Sequence, residues 1–284
     1  MVPVVWYYWR THFTGSKKIP LTMWCFNKRK VHDSIDKKRK AEPQVLAPGL
    51  VVLRNFVSDI EQEKLAKQAI DFGKQGNDGF YTTDDDGKAV LNTGENRGRI
   101  YDAATRFPAE WTNYCDEAVA FAQKADQAMP SMSCTHVLLN MYTTSDGLTW
   151  HRDIYENDGK GDHPVVNLCV GSSCVFAYKY KDEEPVRRLT LRSGDCLLFG
   201  GPCRLMEHAI EKVLLDQCPK WMDTPCRFSF TFRDSPEVLG REHEFKYFRV
   251  KEHLVGQDQF VAPQDPATFR GLPGLDSQQL SITG

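Results

Sequence analysis

The segment Arg227-Phe228-Ser229-Phe230-Thr231-Phe232-Arg233 alternates polar and aromatic residues without a break. A period of two belongs to a β-strand, so the three phenylalanines share one face and Arg227, Ser229, Thr231 and Arg233 share the other. The aromatic face needs a core to cover it. The polar face does not read as an ordinary solvated surface, because it carries two arginines and no lysine, glutamate or aspartate. The planar guanidinium fork suits two-pronged recognition of a carboxylate. This one strand therefore predicts a β-structure with an anion-binding wall.

The sequence upstream supports the same architecture. From His136 onward it reads as short strands separated by turns, over His136 to Tyr142, Val165 to Gly171, Cys174 to Tyr180, Arg188 to Leu191 and Cys196 to Phe199. Strands of this length and spacing predict a jelly roll, an enclosure that can gather residues distant in sequence. Before it, Leu50 to Leu53 reads as a strand. Ser58 and Glu61 have the spacing of a capping box, which opens a helix to about Gln75 with an apolar stripe of Ile60, Leu65, Ala69 and Phe72. A second helix is expected from about Pro108, with Trp111, Cys115, Ala118, Val119 and Ala122 facing a sheet and Pro130 ending it. Between the helices, Gly79 to Phe107 is rich in Gly, Asp, Thr, Arg and Tyr, and a long irregular stretch of this kind is expected to be a lid or binding loop.

His151-Arg152-Asp153 adds metal chemistry. In extended chain, residues two apart point to one side at a backbone spacing of about 7 Å, so the imidazole of His151 and the carboxylate of Asp153 can grip one ion. A second imidazole must come from elsewhere. His208 fits, because it follows Gly194-Asp195-Cys196-Leu197-Leu198-Phe199, a turn and an apolar strand. Two histidines and one carboxylate leave three octahedral positions open, the arrangement of non-haem Fe(II) sites that admit a co-substrate and dioxygen.

At 284 residues and 41% hydrophobic, the chain can bury one substantial core without disulfides. No apolar run approaches the 18 or so residues of a membrane span. The nine cysteines form no Cys-x-x-Cys pair, and Cys169, Cys174 and Cys196 sit in apolar runs, the pattern of buried thiols in a reducing compartment. An intracellular location, nuclear or cytoplasmic, is expected. The net charge of -2 hides an asymmetry, since residues 1 to 40 carry ten Lys or Arg and two acids, a net of +8. Their clusters Lys28-Arg-Lys30 and Lys37-Lys-Arg-Lys40 read as an import signal, a nucleic-acid-contacting tail or a plain solvated extension, and the acid-free first 32 residues leave an organellar presequence as a further reading. The expected domains are a basic, disordered extension over 1–45, a catalytic domain over 46–250 with its jelly-roll core at about 131–234, and an irregular tail over 251–284.

With these residues in view, the sequence resembles the AlkB-type Fe(II)- and 2-oxoglutarate-dependent dioxygenases over about residues 46 to 234. The resemblance rests on Asn140-Met-Tyr142 upstream of His151-Arg-Asp153, on Gly194-Asp195 entering the strand before His208, and on Arg227-x5-Arg233. It implies a mixed α/β, mainly β fold: a double-stranded β-helix (jelly roll) with N-terminal supporting helices and a substrate lid. It implies Fe(II) on His151, Asp153 and His208, with 2-oxoglutarate and O2 as co-substrates. Arg227 and Tyr142 would hold the distal carboxylate of 2-oxoglutarate. Asn140 and Arg233 would sit near its chelating end, and Ser229 belongs to the same co-substrate set.

The resemblance further implies oxidative demethylation of an N-alkylated nucleobase in DNA or RNA, in the chemistry of DNA repair or RNA modification, by a monomer acting on single strands. Arg97, Arg99 and Tyr101 would contact phosphate or base, or else tie the lid to the barrel. Members that repair cationic bases carry an aspartate two residues past the metal aspartate, and here Tyr155 stands there, which favours a neutral base such as N6-methyladenine. The alternatives are the same chemistry on a protein side chain and a non-catalytic nucleic-acid-binding barrel.

Overall fold

A computed structural model describes residues 41–74, 79–83, 89–91, 97–153, 161–180 and 185–236. The expected basic extension up to residue 40, Tyr155 and the expected tail over 251–284 lie outside the described residues.

The chain forms β1 (Glu42–Ala47), β2 (Leu50–Arg54), α1 (Asp59–Gly73), β3 (Tyr81–Thr83), β4 (Ala89–Leu91), β5 (Arg97–Ala103), α2 (Ala109–Ala125), β6 (His136–Tyr142), β7 (Leu148–His151), β8 (Val165–Gly171), β9 (Ser173–Lys179), β10 (Arg187–Leu191), β11 (Cys196–Phe199), β12 (Glu207–Leu214) and β13 (Arg227–Arg233). An antiparallel sheet in the order β1-β2-β11-β8-β13-β6-β5 faces a second in the order β10-β9-β12-β7, and β3 and β4 pair with each other. This is the expected jelly roll.

Strand β13 shows why the sheets stack as they do. Phe228, Phe230 and Phe232 are fully buried on the outer face of the larger sheet, among the helix residues. Trp111 of α2 meets Phe230 edge-on at 4.8 Å, an arrangement favoured by the ring quadrupoles. The alternate residues of β13 face the smaller sheet across the cleft.

Helix α1 begins as expected. The Ser58 hydroxyl accepts the Glu61 N–H, and the Glu61 carboxylate accepts the Ser58 N–H, satisfying two donors that a helix start otherwise leaves open. Its buried residues are Gln62, Leu65, Ala66, Ala69, Ile70 and Gly73. Ile60, expected on the apolar stripe, is 54% exposed. At 3.6 residues per turn it lies about 140° round the helix from Leu65. Helix α2 stops at Ala125 rather than running to Pro130, because Asp126 turns extended and its carboxylate accepts the N–H groups of Gly49 (2.6 Å) and Ala128 (2.9 Å).

Three boundaries differ from the sequence reading. Pro48-Gly49 is the turn of a hairpin whose first strand opens at Glu42, inside the expected extension over 1–45, with Val45 opposite Val51. Strand β1 is an edge held by backbone bonds, and its Val45 remains 46% exposed, which leaves little hydrophobic pattern to read. Gly49 adopts φ +82°, a conformation costly for other residues. The stretch Gly79 to Phe107, expected to be irregular, contains β3, β4 and the seven-residue β5, and β5 is an integral edge of the larger sheet. Strand β12 also escaped the reading, because a bulge between Ile210 and Lys212 breaks its period of two.

Candidate active site

The register of β13 builds one wall of the cleft. Opposite β6, Arg227 pairs with Tyr142 and Ser229 with Asn140, and directly opposed residues of an antiparallel pair share a face. On the other side β8 sets Asn167 opposite Thr231. All six line a cleft of about 490 Å³ between the sheets. The facing sheet contributes an apolar wall that includes Phe176, Leu191 and Ile210.

The metal residues meet at the cleft's other side. Strands β7 and β12 pair with His151 directly opposite His208. Close approach here depends on Gly147, whose backbone lies against the Ile210 carbonyl with no room for a Cβ. Strand β7 ends at His151, so Asp153 is supplied by the chain just past the strand rather than by the strand itself. Asp153 Oδ1 stands 3.8 Å from His151 Nε2, and Oδ2 stands 4.0 Å from His208 Nε2. The ligand atoms of the three lie within 4.8 Å of one another. Both imidazoles are oriented through their second nitrogen: His151 Nδ1 faces the Thr149 carbonyl at 2.8 Å, and His208 Nδ1 the Met206 carbonyl at 3.2 Å. A protonated Nδ1 held in this way leaves each Nε2 lone pair for an ion.

Asp153 is 5% exposed. Burial by itself would raise its pKa, but Arg233, His208, His151 and Arg204 outweigh it and hold the carboxyl well below the usual carboxylate range. Arg233 Nη2 is 3.0 Å from Oδ1. An ionised carboxylate and two imidazoles form a donor set suited to iron, so the residues present fit the metal.

Arg227 is in a different state. It is fully buried, its Nη2 reaches the Cys169 Sγ at 3.0 Å and its Nη1 the Ser172 carbonyl at 3.3 Å. Among the described residues no carboxylate pairs with it, and its Nε has no hydrogen-bond partner. Asn140 Oδ1, in the same wall, also has none among the described residues. A buried guanidinium without an anion is costly, so the wall fits a carboxylate-bearing co-substrate.

Of the residues expected near substrate, Arg97, Arg99 and Tyr101 lie on β5, in register with Tyr142, Asn140 and Leu138 of β6. Arg99 and Tyr101 share the cleft-bearing face of the sheet but stand one strand outside the wall. Tyr101 is 7% exposed and stacks on His136 at 5.3 Å, which ties β5 to the barrel. Asn167 and Thr231 belong to the site and were not singled out as such. Asn167 Nδ2 donates to Ser229 Oγ at 2.6 Å and to Thr231 Oγ1 at 2.8 Å. Its signal in the sequence is a lone amide in the apolar run Val165-Val-Asn-Leu-Cys-Val170.

Residues 49–233 match the family model of the 2OG-Fe(II) oxygenase superfamily. The chain belongs to this superfamily, and within it to the AlkB type. It is 30% identical over 237 residues to the DNA N(6)-methyladenine demethylase ALKBH1C of Arabidopsis thaliana, covering 70% of this chain and 52% of that protein. It is 28% identical over 218 residues to the alpha-ketoglutarate-dependent dioxygenase AlkB of Escherichia coli, covering 69% of this chain and 95% of that one. The solved structure of OsALKBH1 superposes with a TM-score of 0.56 at 24% identity, covering 67% of this chain and 100% of that one, and supports the fold. The enzyme is accordingly a dioxygenase that uses Fe(II), 2-oxoglutarate and O2. When bound, iron and the keto acid together reduce dioxygen and supply the oxidising power for attack on a C–H bond.

Proposed function

We propose that this enzyme oxidatively demethylates N-alkylated nucleobases in DNA or RNA. The observation that carries the reading is the match along the catalytic domain to AlkB and to a protein named as a DNA N6-methyladenine demethylase, combined with a cleft that pairs a metal triad with a buried arginine for which no carboxylate partner lies among the described residues. One O2 and one 2-oxoglutarate are consumed per turnover, giving succinate, CO2 and an N-hydroxymethyl base. The hydroxymethyl group then leaves as formaldehyde, and the base nitrogen recovers its proton.

In this reading His151, Asp153 and His208 hold iron. Arg227 and Tyr142 hold the distal carboxylate of 2-oxoglutarate. Ser229 shapes the wall between them, while Asn140 and Arg233 bound its chelating end. Together they fix the keto acid at both ends, which spares the reaction the entropy of aligning it. The edge strand β5 carries Arg97, Arg99 and Tyr101 past this wall, where a polynucleotide would lie. Single strands are preferred, because extruding a paired base costs a few kcal/mol. Tyr155, in place of an acid, favours a neutral base such as N6-methyladenine.

Formaldehyde and succinate release across a panel of methylated DNA and RNA oligonucleotides tests the proposal. Release from at least one methylated oligonucleotide, faster on single strands than on duplex, is the expected result. No demethylation of any oligonucleotide, together with robust succinate release on a protein substrate, would overturn it.

A further inference from the structure

Arg204 is 6% exposed, and so far it has entered only as the last of the charges around Asp153. It follows the 3-10 turn Gly201–Cys203 between β11 and β12, and its own N–H bonds to the Gly201 carbonyl at 3.1 Å. From there its Nη1 reaches back across the fold to donate to the backbone carbonyl of Asp153, 51 residues away in the chain. Burial works against the guanidinium charge, and the Asp153 carboxylate supports it. The same turn leads into His208. The Met206 N–H bonds to the Cys203 carbonyl at 3.1 Å, and the Met206 carbonyl receives His208 Nδ1. A side chain rooted in the segment that orients one metal ligand thus grips the backbone of another.

We propose that Arg204 is a positioning residue of the metal centre, holding the Asp153 backbone where its carboxylate meets His151 and His208. Asp153 lies two residues past the end of β7, outside the strand ladder that fixes the histidines. Arg233 holds the carboxylate, at Oδ1. A carboxylate anchored at its oxygen alone can still pivot at Cα, whereas anchors at the carboxylate and at the backbone carbonyl together fix its direction. A hydrogen bond from a charged donor is stronger than a neutral one, and Arg204 supplies it where the chain has left regular structure. The inference concerns the metal alone and stands whichever substrate the enzyme takes.

Mn2+ titrated into the full chain, followed by electron paramagnetic resonance, reads the affinity directly and needs no turnover. Removing partners of this kind typically weakens metal binding about ten- to hundredfold, and Arg204→Met is expected to do so. Arg204→Lys, which keeps a charged donor of similar reach, should restore most of that loss. At saturating Mn2+, Arg204→Met should bind 2-oxoglutarate within about twofold of the parent by calorimetry, since Arg227 is untouched. A general loosening of the barrel would weaken both. If Arg204→Met does not fold, Arg204→Gln, whose amide is too short to reach the carbonyl, carries the same expectation. Mn2+ binding within twofold of the parent in either folded variant, or equal losses of Mn2+ and 2-oxoglutarate affinity, overturns the proposal.

Discussion

Arg227 and Arg233 begin and end one strand, point into one cleft and are both buried, yet their surroundings differ. Arg233 already has its anion, the Asp153 carboxylate at 3.0 Å. Arg227 has a thiol and a carbonyl and, among the described residues, no carboxylate at all. A buried charge is tolerated when it is paired, so Arg233 has its carboxylate partner within the protein, whereas the surroundings of Arg227 fit a carboxylate brought by a ligand. Residue type and burial alone would assign the two the same job. What separates them is the group each one faces.

The largest effect should come at the Arg233 end, from the metal ligands themselves. His151→Ala, Asp153→Ala or His208→Ala should each abolish iron-dependent succinate formation while the far-ultraviolet circular dichroism stays that of the parent. Full turnover by any one of the three would break the assignment of that end. Next comes Arg227→Ala. Loss of a charge-assisted contact worth about 1.5–3 kcal/mol should raise the 2-oxoglutarate KM roughly ten- to hundredfold, with Mn2+ affinity unchanged. A KM within twofold of the parent would erase the distinction between the two arginines.

Arg233→Ala should show the opposite pattern, with metal affinity falling about tenfold and the 2-oxoglutarate affinity at saturating metal changing less than in Arg227→Ala. It also has a pH consequence. Because the Asp153 pKa is depressed in the folded protein, its ionisation adds stability above its ordinary pKa of about 3.9, and that stability is lost as pH falls through the folded value. Removing Arg233, the strongest of the stabilising charges, should move the acid-unfolding midpoint of the metal-free protein upward. An unchanged or lower midpoint would show that the ion pair does not matter in this way. The smallest effect is expected between the two ends. Asn167→Ala leaves the Ser229 and Thr231 hydroxyls without their shared donor, a change of about 1 kcal/mol, and should raise the 2-oxoglutarate KM about fivefold without touching metal affinity.

Much of this arrangement is legible in the sequence. The alternation in β13 announced both its faces, because a strand's period of two leaves no other way to separate aromatics from arginines. The capping box at Ser58 was equally plain, since it depends on two residues three apart. Strand β12 was hidden by its bulge, β1 by its sparse apolar content, and β5 by the mixture of Gly, Arg, Tyr and Asp in Arg97-Gly-Arg-Ile-Tyr-Asp-Ala103. Asn167 was visible as an oddity in an apolar strand. Its partners were not visible, because Ser229 and Thr231 lie more than sixty residues away.

The sequence by itself determined the strand-rich fold, the three residues of the metal triad and the polar face that carries both arginines, because each rests on local periodicity or on residue type. The tertiary structure decided which partner each of those residues faces. It set His151 opposite His208 through the β7–β12 register, gave Arg233 its carboxylate, gave Arg227 a thiol and a carbonyl instead, and brought Arg204 to the backbone of Asp153 across 51 residues. Partners of this kind are fixed by strand order and register, in which a shift of one residue would turn every side chain to the opposite face, and that choice is made by the whole sheet at once.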